Sequence, residues 1–119
     1  MAQNEPPGLR MRTKQFALRI IRLFSALPNT NVAQVLGKQL LRSGTSIGAH
    51  YREDCRARST AEFISKLEGG LQELEETAYW LELLVEGEVV PADKLRSLQQ
   101  ETNELTAIFV TCVKKAKGE

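Results

Sequence analysis

Apolar residues recur at steps of three and four along almost the whole chain, the period of an amphipathic helix. Stop signals divide them into four stretches. In the first, from about Met11 to Leu27, Phe16, Ile20, Leu23, Phe24 and Leu27 form one stripe, widened by Ala17 and Ile21. Arg12, Arg19 and Arg22 fall mostly off that stripe, which predicts a basic outer face. Pro28 and Asn29 end the helix. The second stretch opens at Thr30 or Asn31, either of which can cap a helix by accepting a bond from a free N–H. Its stripe is Val32, Leu36, Leu40, Ile47 and Tyr51.

The stretch QLLRSGTSIGAHYRED, Gln39 to Asp54, interrupts this second pattern with poor helix formers: Ser43, Gly44, Thr45, Ser46 and Gly48. A loop here would reset the helical phase. Leu40 to Ile47 instead keeps an intact heptad, so the spacing predicts one continuous helix. Each glycine lowers helix stability by about 1 kcal/mol relative to alanine. The compensation expected is close packing, with Gly44 and Gly48 leaving a smooth groove for another helix and Gly69 and Gly70 as its partners.

The third helix has the clearest start. Ser59 to Glu62 reads STAE, a capping box in which the Ser59 hydroxyl takes the third amide and Glu62 reaches back. Phe63, Leu67, Gly70, Leu74, Thr77, Leu81 and Leu84 form its main seam, with Ile64, Leu71, Ala78 and Val85 beside it. Two seams predict contact with more than one neighbour. Gly87 marks the end. Val90 and Pro91 open a fourth helix, with stripe Leu95, Leu98, Thr102, Leu105, Phe109 and Cys112. Lys114, Lys115 and Lys117 lie at its C-terminus, where positive charge suits the helix dipole.

No stretch alternates as a strand would. Four helices with short connections predict an all-α, antiparallel up-down-up-down four-helix bundle over residues 11–117, preceded by a mobile tail over residues 1–10 that contains Pro6, Pro7 and Gly8. Helices 2 and 3 should reach roughly 35–40 Å at about 1.5 Å per residue.

Composition adds limits. The 119 residues suffice for one core, and 42% are hydrophobic. No run approaches the ~20 apolar residues of a membrane span, so no membrane partner is expected. The N-terminus lacks a secretory pattern. Cys55 and Cys112 fit no metal spacing and read as reduced thiols of a cytoplasmic protein. The net charge of +1 conceals a division: residues 1–58 carry ten Lys/Arg against three Asp/Glu, residues 59–119 six against twelve. Halves of +7 and −6 can attract each other within a chain or between chains, and a basic half can also meet nucleic acid.

Candidate chemistry is sparse. Gly44 and Gly48 lack the Lys-Ser/Thr pair of a phosphate loop. The single histidine, His50, has no Glu-x-x-His companion. Ser43, Ser46 and His50 share a helix but are satisfied locally by its carbonyls. No catalytic, cofactor or metal residues are therefore assigned. Glu73 and Glu76 lie one turn apart, opposite Arg42 and Arg52, and predict an inter-helix polar network rather than an active-site pair. Tyr79 and Trp80 are adjacent, so at most one can enter the core; the other is a candidate for an interface between chains.

LLRSGTSIGAHYRE, followed by AEFISKL and LQELEETAYWLELL, resembles the bacterial four-helix-bundle proteins that include those encoded within intervening sequences of large-subunit ribosomal RNA genes. That family is also related to the accessory variability protein of diversity-generating retroelements. The resemblance covers about Arg12 to Val113. It rests on Gln39, Leu40, Arg42, Ser43, Ser46, Ile47, Tyr51, Arg52 and Glu53, and on Phe63, Lys66, Leu67, Glu73, Glu76, Thr77, Tyr79, Trp80 and Leu81. The family usually has asparagine in place of His50 and alanine-like residues near Gly69 and Gly70. The resemblance implies a closed helical subunit assembled into a ring-like homopentamer, with no enzyme activity and no cofactor. The retroelement relatives bind a reverse transcriptase and nucleic acid through a strongly basic surface, whereas this chain is nearly neutral.

The expected function is thus a non-catalytic homo-oligomeric module, an adaptor or scaffold for another macromolecule. The alternative is an RNA- or DNA-binding protein, with Arg10, Arg12, Lys14, Arg19 and Arg22 as candidate phosphate contacts and a nucleic-acid-processing protein as a further candidate partner. An enzyme stands third, for want of a catalytic constellation.

Overall fold

In the computed structural model, which describes residues 8–119, four helices follow one another: α1 Leu9–Ala26, α2 Asn31–Asp54, α3 Thr60–Glu86 and α4 Ala92–Ala116. Local chemistry sets their ends. The Thr30 hydroxyl accepts from the Ala33 amide at 3.2 Å and starts α2. The Ser59 hydroxyl accepts from the Glu62 amide at 3.1 Å and starts α3. Pro91 stands at the entry to α4. Helix α1 begins earlier than its apolar stripe suggests, because Leu9 is itself buried and Gly8, at φ 76°, turns the chain into it. The expected tail therefore shortens at this end, and its first seven residues lie outside those described.

Short turns make neighbours antiparallel. Helix α1 packs on α2, α2 on α3 and α3 on α4. The result is a rod with extents of 45 × 20 × 19 Å. Its axis is filled by Phe16 and Ile20 of α1, Leu40 and Ile47 of α2, Leu67, Leu74 and Leu81 of α3, and Leu105 and Phe109 of α4. The stripe expected for α2 needs one correction: Val32 is exposed, and Ala33 occupies the buried position instead.

Helix α2 is continuous through Gly44 and Gly48. The close packing expected of these glycines exists, but their partner is α1, not Gly69 and Gly70. A Cβ on Gly44 would lie 2.8 Å from Ile20 Cγ1, and one on Gly48 would lie 3.2 Å from Thr13 Oγ1. Gly37 belongs to the same line, with Leu27 and Phe24 against it. Gly70 makes room for the Phe109 ring of α4, and Gly69 for the imidazole of His50. Three separate close approaches thus replace the single glycine-on-glycine contact.

Candidate interaction surfaces

A polar clasp joins α2 to α3. Inside it, the Ser43 and Thr77 hydroxyls are 2.9 Å apart in the buried interior. Outside, the Arg42 guanidinium contacts Glu73 at 3.4 Å and also pairs with Glu76. The Trp80 indole N–H donates to Glu76 at 3.3 Å. The Arg42 hydrogen bond holds the Glu76 carboxyl below the usual carboxylate range, opposed by burial and aided by the indole. His50 Nε2 lies 3.9 Å from Glu73 Oε2. Farther along, Lys66 meets Glu53 at 2.6 Å. Of the expected network, Arg42, Glu73 and Glu76 are brought together. Arg52 is not: it lies ten residues beyond Arg42 on α2 and faces the α1 side, beside Thr13 and Lys14.

A second set of charges closes α1 against α4. Arg12 donates through Nε and Nη2 to both carboxylate oxygens of Glu101, each at 2.8 Å, and through Nη2 to Glu104 at 2.8 Å. Two parallel bonds of this kind fix direction as well as charge. They hold the Glu101 carboxyl below its ordinary range. Arg19 donates to the Ser97 hydroxyl at 3.0 Å. Arg12 and Arg19 are therefore committed within the subunit. The expected basic outer face of α1 loses them, because α4 supplies acceptors that no reading of α1 alone could reveal. Arg10, Lys14 and Arg22 remain exposed, with no ion pair among the described residues.

The remaining cations frame a groove. Between α1 and α2, Lys14, Ala17, Thr45, Gly48, Ala49 and Arg52 line an open trough. Its floor is low because three of these side chains are glycine or alanine. Lys14 rises on one wall and Arg52 on the other. Arg10 lies one turn from Lys14, and Lys38 and Thr45 lie on the Arg52 line at heptad spacing. Sequence reasoning missed the pairing of Lys14 with Arg52 across two helices; their place beside small residues was its available signal.

The outer face of α3 has the opposite character. Glu75, Tyr79, Glu82 and Glu86 follow at steps of four, three and four, and all are exposed. They form a ridge with one aromatic ring amid carboxylates. Tyr79 is 53% exposed, and its ring sits 5.2 Å from that of the half-buried Trp80. Of the adjacent pair, Trp80 packs against the core and Tyr79 does not. Val32 and Val35 of α2 are likewise exposed.

Other chemistry does not gather. Among the described residues, no three His, Cys, Asp or Glu side chains converge on a metal position. No helix of those residues is long and apolar enough to cross a membrane. Cys112 is a buried thiol, and burial, with Asp54 nearby, pushes it up.

Comparison with known proteins gives one family and one solved structure of note. Residues 9–111 match the family described as 23S rRNA-intervening sequence protein. The chain is 40% identical to a protein of unknown function from the S23 ribosomal protein family of Bacteroides thetaiotaomicron. That crystal structure superposes with a TM-score of 0.83 over 88% of this chain and 97% of the other. No curated protein matches the chain.

Proposed function

Because the chain belongs to the 23S rRNA-intervening sequence protein family, we propose that it is a non-catalytic module that assembles with copies of itself and serves as an adaptor for another macromolecule. The observation that carries this reading is the set of large side chains left outside a well-filled core: Met11, Val32, Val35 and Tyr79, each more than half exposed. Aromatic residues are enriched at interfaces between chains. Five copies is the expected number, on the resemblance to ring-forming relatives. A cytoplasmic setting fits the buried Cys112 thiol. The test is the mass of the purified chain in solution by light scattering. A defined oligomer, five-fold in the expected case, supports the reading; a clean 13.3 kDa monomer at micromolar concentration overturns it.

A nucleic-acid partner is the second reading. It is favoured by the exposed, unpaired Arg10, Lys14 and Arg22 on α1, joined by Arg52 from α2. Phosphate contact of this kind weakens steeply as salt rises. Titration of a structured RNA and a DNA duplex at low and high salt tests it. Failure to bind either at low salt removes it.

A further inference from the structure

The geometry points to a specific mode of self-association: the acidic ridge of α3 in one copy seats in the cation-walled α1–α2 groove of the next. This rests on the self-assembly reading above and goes further, by naming the two surfaces that meet. The groove has a floor of Ala17, Gly48 and Ala49 between Lys14 and Arg52. The ridge has an aromatic ring, Tyr79, between Glu75 and Glu82. A protruding ring flanked by two carboxylates complements a trough of small side chains flanked by two cations. Arg10 and Lys38 extend the positive surface, and Glu86 extends the negative one.

Charge arithmetic favours a second copy over a polyanion as the occupant. Pairs within the subunit absorb Arg12, Arg42, Lys66 and Lys117. The cations left over on the α1–α2 side are matched by carboxylates left over on α3 of the same chain. A chain of net charge +1 carries its own complementary surface. An exposed aromatic at the centre of such a contact acts as an anchor, while the surrounding charges set direction and suppress wrong pairings. The contact is heterologous, since groove and ridge are different surfaces. The groove lies between α1 and α2, and the ridge runs along α3, where Glu82 reaches the α4 side beside Gln99 and Asn103. A heterologous contact closes into a ring where its rotation closes and runs on as a filament where it does not.

Two charge-reversed variants test this. One carries Lys14→Glu with Arg52→Glu, the other Glu75→Lys with Glu82→Lys. All four residues are exposed, and retention of helical circular dichroism and thermal midpoint checks that each variant folds. Each variant alone is expected to fall to the 13.3 kDa mass of one chain under conditions where the wild type is oligomeric. Carrying all four reversals in one chain should restore assembly, because every acidic groove then meets a basic ridge whatever the number of copies. Tyr79→Ala should also dissociate, without any change in net charge. Wild-type mass in both reversed variants, or a folded fourfold variant that stays monomeric, overturns the proposal while leaving self-assembly intact. A monomeric wild type overturns the assembly reading itself. Loss of binding to an RNA hairpin in the groove variant, with its oligomeric mass unchanged, would assign the groove to nucleic acid and overturn the proposal.

Discussion

The hydroxyl oxygens of Ser43 and Thr77 lie 2.9 Å apart, both shut off from water between α2 and α3. Thr77 also reaches its own helix at the Glu73 carbonyl, 2.7 Å away, and Ser43 approaches the Leu40 carbonyl at 3.3 Å. Removing one partner of a buried polar pair strands the other, whereas replacing both with apolar groups of similar shape is nearly neutral. Ser43→Ala and Thr77→Val should each lower stability by about 1 kcal/mol. The double variant should lose less than the sum. Urea denaturation of all four proteins measures the coupling; simple additivity would show that the two hydroxyls do not interact.

The glycines of the bundle should not respond alike. An alanine methyl at Gly44 meets the fully buried Ile20 at 2.8 Å, and one at Gly70 meets the fully buried Phe109 ring at 2.6 Å. Such overpacking lowers stability by about 1–3 kcal/mol. At Gly48 the nearest atom is 3.2 Å away. There the gain of about 1 kcal/mol in helix propensity works against a milder strain. Gly44→Ala and Gly70→Ala should therefore be clearly less stable than Gly48→Ala. The reverse order in denaturant midpoints would contradict the packing described.

Acid should loosen the contact between α1 and α4. Arg12 holds Glu101 below its ordinary pKa in the folded chain. A group depressed by folding adds stability above its unfolded pKa, near 4.3, and that share disappears as pH falls through the folded value. Stability should begin to decline below about pH 5. Arg12→Met should flatten the decline, although other carboxylates continue to contribute. The effect is modest, since the Arg12 side chain keeps 37% of its surface in water. Equal acid dependence in the variant and the wild type would remove Glu101 from the account.

Glu88 adopts a left-handed backbone at φ 60° in the turn after α3. The amides of Val89 and Val90 then both reach back to the Leu84 carbonyl, at 2.9 and 3.1 Å. A side chain in that region strains the backbone by about 1 kcal/mol, and glycine relieves it. Glu88→Gly should raise the thermal midpoint and leave oligomeric mass unchanged. A lower midpoint would mean that the Glu88 side chain contributes more than its backbone strain removes.

Much of the fold was legible because its signals are local. Thr30 and Ser59 announce helix starts by caps that need only neighbouring amides, and the Leu40–Ile47 heptad carries its phase across the glycines. The partners of those glycines were not legible. Gly44 and Gly70 each mark a close approach, but which helix approaches depends on packing around the rod. For the same reason Arg12 and Arg19 looked outward when only the apolar stripe was considered, while their acceptors sit on α4, about ninety residues away for Arg12. Arg52 shows the opposite error. Its charge suits Glu73 and Glu76 as well as that of Arg42 does, yet ten residues is not a whole number of turns, and it rotates to the α1 side.

The seam between α1 and α4 is bridged by long charged side chains, while glycines let α1 settle close on α2 and α4 close on α3. Water can replace those bridges at little loss, so this seam unzips first. Transient opening would swing α1 on the turn at Leu27–Thr30 and bare the hollow over Gly37, Gly44 and Gly48. In amide exchange, α1 should then be the least protected helix, with α2 and α3 surviving longest as a pair. An α1 that opens on this seam would act as a hinged flap on a two-helix spine, and a flap of that kind can be traded between neighbouring copies.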